Sequence, residues 1–214
     1  ENCTVPEREQ EKFNSLSPEY SHLYMAIAGR LAAVICIEDP LREEAAEVIR
    51  ALRCLGISKI VMMTGDSDRT ARSVASKIGV DEYYSEVLPE DKAQYIENEK
   101  KNGRKVIMIG DGINDSPALS AADVGIAISE GAEIAREIAD ITITEDALWQ
   151  LVTLKSLSNA LMKRVRTNYR SVIGFNLGLI CLGVVGILPP ATSALLHNTS
   201  TLVISLKSMT NLLK

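Results

Sequence analysis

Short apolar runs alternate with amphipathic stretches along roughly the first two-thirds of the chain, and then the pattern changes. Leu23–Ile27 and Leu31–Ile37 flank Ala28-Gly29-Arg30, which predicts a β-hairpin. Asp39 and Pro40 stand as cap and first residue of a helix striped by Leu41, Ala45, Val48, Ile49, Leu52 and Leu55. A strand over Ile60–Met63 ends in Thr64-Gly65-Asp66. The helix after it carries Ala71, Val74, Ala75 and Ile78 on one face and stops at Gly79. Another helix runs from Pro89 to Gly103, and strand Val106–Ile109 leads into Gly110-Asp111-Gly112-Ile113-Asn114-Asp115. Val124–Ile128 and Ile141–Ile143 read as strands, with a helix over Ala132–Ala139 between them.

Repeated strand–helix units predict an α/β fold with a parallel, doubly wound sheet. Such sheets bind ligands beyond the carboxyl ends of their strands, where Thr64-Gly65-Asp66 and Gly110–Asp115 both fall.

From Tyr169 to Leu188 the only charge is Arg170, at the edge, and about twenty helical residues reach roughly 30 Å, a bilayer's hydrocarbon thickness. Pro189-Pro190 is expected to break that helix, and a weaker apolar stretch follows from Ala191 to Leu213. Lys163, Arg164, Arg166 and Arg170 crowd the near side of the first stretch, Lys214 follows the second, and the intervening turn is uncharged. A two-helix transmembrane hairpin with both outer ends cytoplasmic is the expectation, with a buried helical hairpin in a soluble protein as the alternative.

Composition changes this picture little. A chain of 214 residues with 24% charged and 46% hydrophobic residues is long enough for one domain plus an appendage and too balanced for disorder. A net charge of −5 argues against a nucleic-acid partner bound by phosphate neutralisation. Cys3, Cys36, Cys54 and Cys181 form neither a CxxC pair nor a dense framework, so they read as reduced thiols rather than disulfides or zinc ligands.

The strand-end residues suit phosphoryl chemistry. Thr64 offers a hydroxyl, and Gly65 and Asp66 offer backbone N–H donors to phosphoryl oxygens. Asp111 and Asp115 can converge on a hard cation, and Mg²⁺ fits if phosphate supplies further oxygens. Lys92 supplies a compact positive charge for a transferring phosphoryl group.

With these residues in view, the chain resembles the P-type ATPases. Gly-Asp-Gly-Ile-Asn-Asp-Ser-Pro-Ala-Leu (110–119) is similar to their hinge motif, and Thr64-Gly65-Asp66 to their second phosphate-site motif. Pro89-Glu90-Asp91-Lys92 is similar to the segment carrying their site lysine, and Asp39-Pro40-Leu41-Arg42 to the junction between nucleotide and phosphorylation domains. Asn168-Tyr169, Asn176 and His197-Asn198-Thr199-Ser200-Thr201 look most like the heavy-metal-transporting branch.

The resemblance implies a haloacid-dehalogenase-like domain followed by the membrane hairpin. Residues 1–37 would end the nucleotide-binding domain, 38–147 would form the C-terminal part of the phosphorylation domain, 148–168 a connecting helix, and 169–214 the last two membrane helices. It also implies ATP and Mg²⁺ as cofactors, with Asp111 and Asp115 on the metal and Thr64, Gly65 and Asp66 on phosphoryl oxygens. Lys92 would neutralise developing charge, and Asn114 would add an amide hydrogen bond. Lipid, a transported transition-metal ion and the missing N-terminal portion would be the partners, in a multi-pass membrane protein of a prokaryotic plasma membrane. The family's phosphorylated aspartate lies in Asp-Lys-Thr-Gly-Thr, which does not occur here. The chain begins at Glu1 in mid-domain, so it resembles the C-terminal piece of a longer pump and is expected to be inactive alone.

Polar groups in the apolar stretches are costly and mark an ion path or helix-bridging hydrogen bonds. His197 can ligate zinc, copper or nickel, while Asn176, Asn198 and Thr201 offer harder oxygens. The resemblance implies a Glu after the His and an Asn near Lys207 in pumps that move divalent metals, so His197-Asn198 and Lys207 weigh against a divalent site. Two other readings stand beside the pump. Asp66-Ser67-Asp68-Arg69-Thr70 mimics the loop of stand-alone phosphatases, with Asp66 as nucleophile and Asp68 as general acid. A non-catalytic membrane remnant is the other.

Overall fold

The computed structural model describes residues 4–17, 20–37, 41–110, 113–128, 137–143 and 148–212. The chain folds as two compact units, residues 1–150 and 151–214.

In the first unit, the expected hairpin pairs β1 (Ser21–Ile27) with β2 (Arg30–Ile37) in antiparallel register. Ala28 and Gly29 form its two-residue turn at φ 51° and 75°, the positive values that match the twist of the flanking strands. Met25 faces Ala33 and Ala26 faces Leu31, so Ala32 is an inserted bulge residue. A single-turn helix, α1 (Gln10–Asn14), precedes the hairpin.

The first long helix, α2 (Ala45–Cys54), starts later than the sequence pattern implies. Asp39 and Pro40 lie outside the described residues, but Leu41–Glu44 are not helical and Leu41 is 40% exposed. Burial of Ala45 and Val48 stabilises the helix, whereas a turn over 41–44 would bury nothing in return for its ordering. Strand β3 (Val61–Met63) leads to α3 (Asp68–Ile78), which Ser67 caps and Gly79 ends at φ 76°. Then comes β4 (Glu82–Tyr84), parallel to β3, a strand that the hydrophobic pattern does not announce. Helix α4 (Pro89–Lys101) begins with proline at its first position.

Strand β5 (Ile107–Gly110), a 3-10 turn (Ile113–Asp115) and α5 (Ser116–Ala121) follow, then β6 (Val124–Ile128) and β7 (Ile141–Ile143). Strands β5, β6 and β7 lie side by side and parallel. Ala118, Leu119, Ile126, Ala127, Ile128 and Ile143 are buried and form the core here. A Cβ on Gly125 would stand 2.7 Å from the Leu119 carbonyl oxygen, so the close approach of α5 to β6 demands glycine. The fold is the expected α/β type with parallel strands. Its described strands form two parallel ladders, β3–β4 and β5–β6–β7, and none joins β3 to β5 among the described residues. Most of the helix expected over 132–139 lies outside the described residues.

The second unit holds most of α6 (Trp149–Val184) and all of α7 (Pro190–Ser208). The helix break falls before the prolines. Gly186 at φ 78° closes the end of α6, with the Ile187 N–H donating to the Leu182 carbonyl at 3.0 Å. Pro190 then begins α7. Among the described residues, no helix is long and apolar enough to cross a membrane. The apolar run Val172–Leu188 continues four residues past the end of α6, and His197–Ser200 break the apolar run carried by α7.

Polar side chains join the two helices. Asn176 Oδ1 and His197 Nδ1 are 2.8 Å apart, and Asn168 Nδ2 donates to Ser208 Oγ at 2.6 Å. The Arg164 guanidinium donates to the carbonyls of Ser208, Thr210 and Asn211, satisfying acceptors that the end of α7 leaves open.

Candidate active site

The carboxyl ends of β3 and β5 carry the site. Thr64 extends the β3–β4 ladder by one bond, its N–H donating to the Tyr84 carbonyl at 3.0 Å. Its hydroxyl accepts from the Asp66 N–H at 3.1 Å and donates to Asp66 Oδ2 at 2.9 Å, closing a tight turn. Binding a phosphoryl oxygen through that hydroxyl proton therefore requires it to leave Asp66. Gly65 is exposed, and a Cβ built there meets nothing within 4 Å, so the turn has an open face.

A strap from the far end of β4 holds this turn. The Glu86 N–H donates to the Asp66 carbonyl at 2.9 Å, and the Val87 N–H to the Thr64 carbonyl at 3.0 Å. Making both bonds puts Glu86 at φ 55°, a conformation that costs a side-chain-bearing residue about 1–2 kcal/mol. Leu88 and Pro89 follow at once and start α4, whose first turn carries Lys92. The strap thus links the position of Thr64 to that of Lys92 through the backbone.

Lys92 Nζ donates to Asp115 Oδ1 at 2.8 Å, with the two side chains 15% and 11% exposed. Asp115 ends the 3-10 turn and stands at the N-cap position of α5, where its side chain makes no cap hydrogen bond. Its carboxylate packs against Gly110, where a Cβ would come within 2.7 Å of Asp115 Cβ and Oδ2. The structure therefore brings Lys92, Gly110 and Asp115 together, and the strap anchors Thr64 and Asp66 to the same helix start. Asn114 is exposed on the 3-10 turn. Asp111 and Gly112 lie outside the described residues.

Sequence reasoning missed the cluster around Asp68. Its carboxylate accepts from Arg72 at 3.0 Å, Tyr83 at 3.3 Å and Ser85 at 3.5 Å. Only the Asp68–Arg72 spacing of four on a helix signalled it, because Tyr83 arrives on the unforeseen β4 and Ser85 directly after it. Held by three donors, Asp68 is poorly placed to act as a general acid for an Asp66 nucleophile. At the opposite, amino-terminal end of the two strands, Lys59 pairs with Glu82 at 2.8 Å. Hydrogen bonding to Lys59 holds the Glu82 carboxyl below its usual range, and the same bond, then that to Tyr95, raises the Lys59 ammonium. That network braces β3 and α4 at the end away from the site.

The donors fit a hard cation. Asp115 offers oxygen, and no described donor reaches its Oδ2. Among the described residues, no three His, Cys, Asp or Glu side chains gather as a metal cage. Oxygen ligands few in number, with phosphate completing the shell, are the pattern Mg²⁺ tolerates and zinc or calcium cages do not.

A family model described as haloacid dehalogenase-like hydrolase matches residues 7–123, and the chain belongs to that family. Its relatives are heavy-metal P-type ATPases. The manganese-exporting P-type ATPase of Mycobacterium leprae (strain TN) is 40% identical over 183 residues, 85% of this chain and 25% of that protein. Copper-transporting ATPase 2 of Rhizobium meliloti (strain 1021) is 44% identical over 176 residues, 82% of this chain and 21% of that one. Among solved structures, a zinc-transporting PIB-type ATPase in its E2.Pi state superposes with a TM-score of 0.83 at 29% identity. That match covers 98% of this chain and 34% of the other. The chain spans about a quarter of the length of the curated relatives it matches.

Proposed function

We propose that the chain is part of an ATP-driven heavy-metal cation pump, contributing the Mg²⁺–phosphate motifs and the last two membrane helices. The observation that carries this reading is the match to the zinc-transporting ATPase along 98% of the chain. The phosphorylated aspartate belongs to a segment outside this chain. Thr64, Gly65 and Asp66 bind phosphoryl oxygens at the open face of their turn, and Asn114 adds an amide hydrogen bond. Asp111 and Asp115 hold Mg²⁺, which when bound offsets the negative charge of the phosphates. Lys92, held by Asp115, keeps its ammonium at the strand ends, where catalysis is chiefly positioning and electrostatics.

Residues 1–37 complete a nucleotide-binding domain and 38–147 a phosphorylation domain, both cytoplasmic. Residues 148–168 connect to a hairpin over 169–214 that lies in the membrane among helices supplied by the rest of the pump. Supporting this, Leu177, Ile180, Val184 and Leu202 are each about 60% exposed or more. The hydroxyls of Thr199, Ser200, Thr201 and Ser208 bond to carbonyls three or four residues back, as a medium without water requires. Asn176, His197, Asn198 and Thr201 are the candidates for the ion path. The Asn176–His197 contact supports it, since it sets a carboxamide oxygen and an imidazole side by side between the helices.

The test is metal-stimulated ATP hydrolysis by the full-length pump in detergent and lipid. Asn176→Ala and His197→Ala are each expected to lower stimulation by zinc, copper or manganese at least tenfold while phosphoenzyme formation persists. Stimulation unchanged in both variants removes the ion path. Absence of any metal-stimulated hydrolysis in the wild type removes the pump.

A further inference from the structure

Charge is divided between the two units. All 28 acidic residues precede residue 147, whereas residues 151–214 contain none and carry Lys155, Lys163, Arg164, Arg166, Arg170, Lys207 and Lys214. Four of these cations fall within one eight-residue stretch of α6, immediately before the apolar run that begins at Val172.

They do not share one face. At 100° per residue, Lys163, Arg166 and Arg170 lie within about 60° of one another, and Lys155, about three turns before Arg166, falls close to it in angle. Arg164 lies about 100° from Lys163 by the same count and is consumed by the carbonyls at the end of α7. Lys163, Arg166 and Arg170 are exposed, and none of the three side chains has a hydrogen-bond or ion-pair partner among the described residues. No carboxylate in the unit can neutralise them.

We infer that the face formed by Lys163, Arg166 and Arg170 is a binding site for the phosphate of an anionic phospholipid headgroup. The inference rests on the membrane reading of the hairpin and names the lipid class that reading leaves open. From Lys163 to Arg170 the helix rises about 10 Å, the depth of a headgroup layer rather than of the hydrocarbon. Tyr169, 67% exposed, sits in the same turn, where an aromatic ring belongs at the boundary between water and acyl chains. Continuity with the exposed apolar side chains of Ile173, Leu177 and Ile180 makes a lipid phosphate the fitting anion, since a nucleic acid has no use for that neighbouring surface. Juxtamembrane cations of this kind attract anionic lipid through a field that salt screens.

The full chain, reconstituted in phosphatidylcholine bilayers, is titrated with spin-labelled phosphatidylglycerol or spin-labelled phosphatidylcholine, and the motionally restricted fraction is read by electron paramagnetic resonance. A roughly fivefold preference for the anionic label is expected. It should fall below about twofold in Lys163→Gln/Arg166→Gln/Arg170→Gln, and in the wild type at 1 M salt, where the Debye length is about 3 Å. Arg164→Gln should retain it. Equal restriction of both labels by the wild type overturns the site. So does a preference that survives the triple variant, or one lost equally in Arg164→Gln, which would make it a matter of net charge. A chain that fails to partition into phosphatidylcholine overturns the membrane reading and this site together, whereas insertion without preference overturns the site alone.

Discussion

Lys92 and Asp115 stand 23 positions apart in sequence, yet the lysine Nζ lies 2.8 Å from Asp115 Oδ1 in the turn that follows β5. The helix start that carries Lys92 is itself fixed by the strap on Thr64 and Asp66. One ion pair therefore ties the hydroxyl-bearing turn to the carboxylate-bearing turn, and the lysine is a charge held in place rather than a solvated one.

Removing one partner leaves the other charge largely enclosed. Lys92→Met is expected to destabilise the chain by roughly 2–3 kcal/mol, at or just below the bottom of the range for breaking a buried pair, because both groups keep some water contact. Lys92→Met/Asp115→Asn should recover at least half of that loss. Denaturant unfolding followed by circular dichroism reads both. A double variant no more stable than Lys92→Met would show that the pair carries no coupling.

The Asp115 carboxylate occupies the space that any side chain at Gly110 would fill. Gly110→Ala puts a Cβ 2.7 Å from Asp115 Oδ2, so the carboxylate must shift and its bond to Lys92 must lengthen. A loss of about 1–3 kcal/mol is expected, the usual cost of overpacking. Gly65→Ala adds its methyl to open space and should change stability by no more than about 0.5 kcal/mol. Equal melting temperatures for the two variants would contradict the packing assigned to Asp115.

Local signals explain which parts of this molecule were legible in its sequence. Ala28-Gly29 between two β-rich runs announced the hairpin, and Gly79 and Pro89 marked helix ends because their backbone preferences act without tertiary help. Strand β4 was invisible: three residues carry no periodicity, and only pairing with β3 makes Glu82–Tyr84 a strand. Pro40 misplaced the start of α2, because a first-turn preference cannot hold a turn that buries nothing. Similarly, Gly186 rather than Pro189 ended α6, since its left-handed φ lets the Ile187 and Leu188 N–H groups both close on the Leu182 carbonyl. At the site, residue types and strand-end positions could be read directly. The Lys92–Asp115 pair, the Asp68 cluster and the Glu86 strap could not, because each depends on which loops the sheet brings together.

Two aspartates outside the site should govern the acid limb of stability. The Arg53 guanidinium at 2.8 Å and then the Ile60 N–H hold the Asp81 carboxyl below its ordinary value near 3.8, tying the end of α2 to the start of β3. Lys105 and then the Val106 N–H do the same for Asp123, between the starts of β5 and β6. A carboxylate more acidic in the folded than in the unfolded state contributes stability that is complete above the unfolded value. That contribution is lost as pH falls through the folded one, because the unfolded chain takes up the proton first. Melting temperature should accordingly show no dependence on these two groups between pH 5 and 7 and should fall as pH drops below about 4. Asp81→Asn/Asp123→Asn should start lower at pH 7 and decline less steeply on acidification. Both groups keep contact with water, so salt should shrink the difference between the two profiles. Parallel acid limbs for variant and wild type would place the acid sensitivity in other carboxylates.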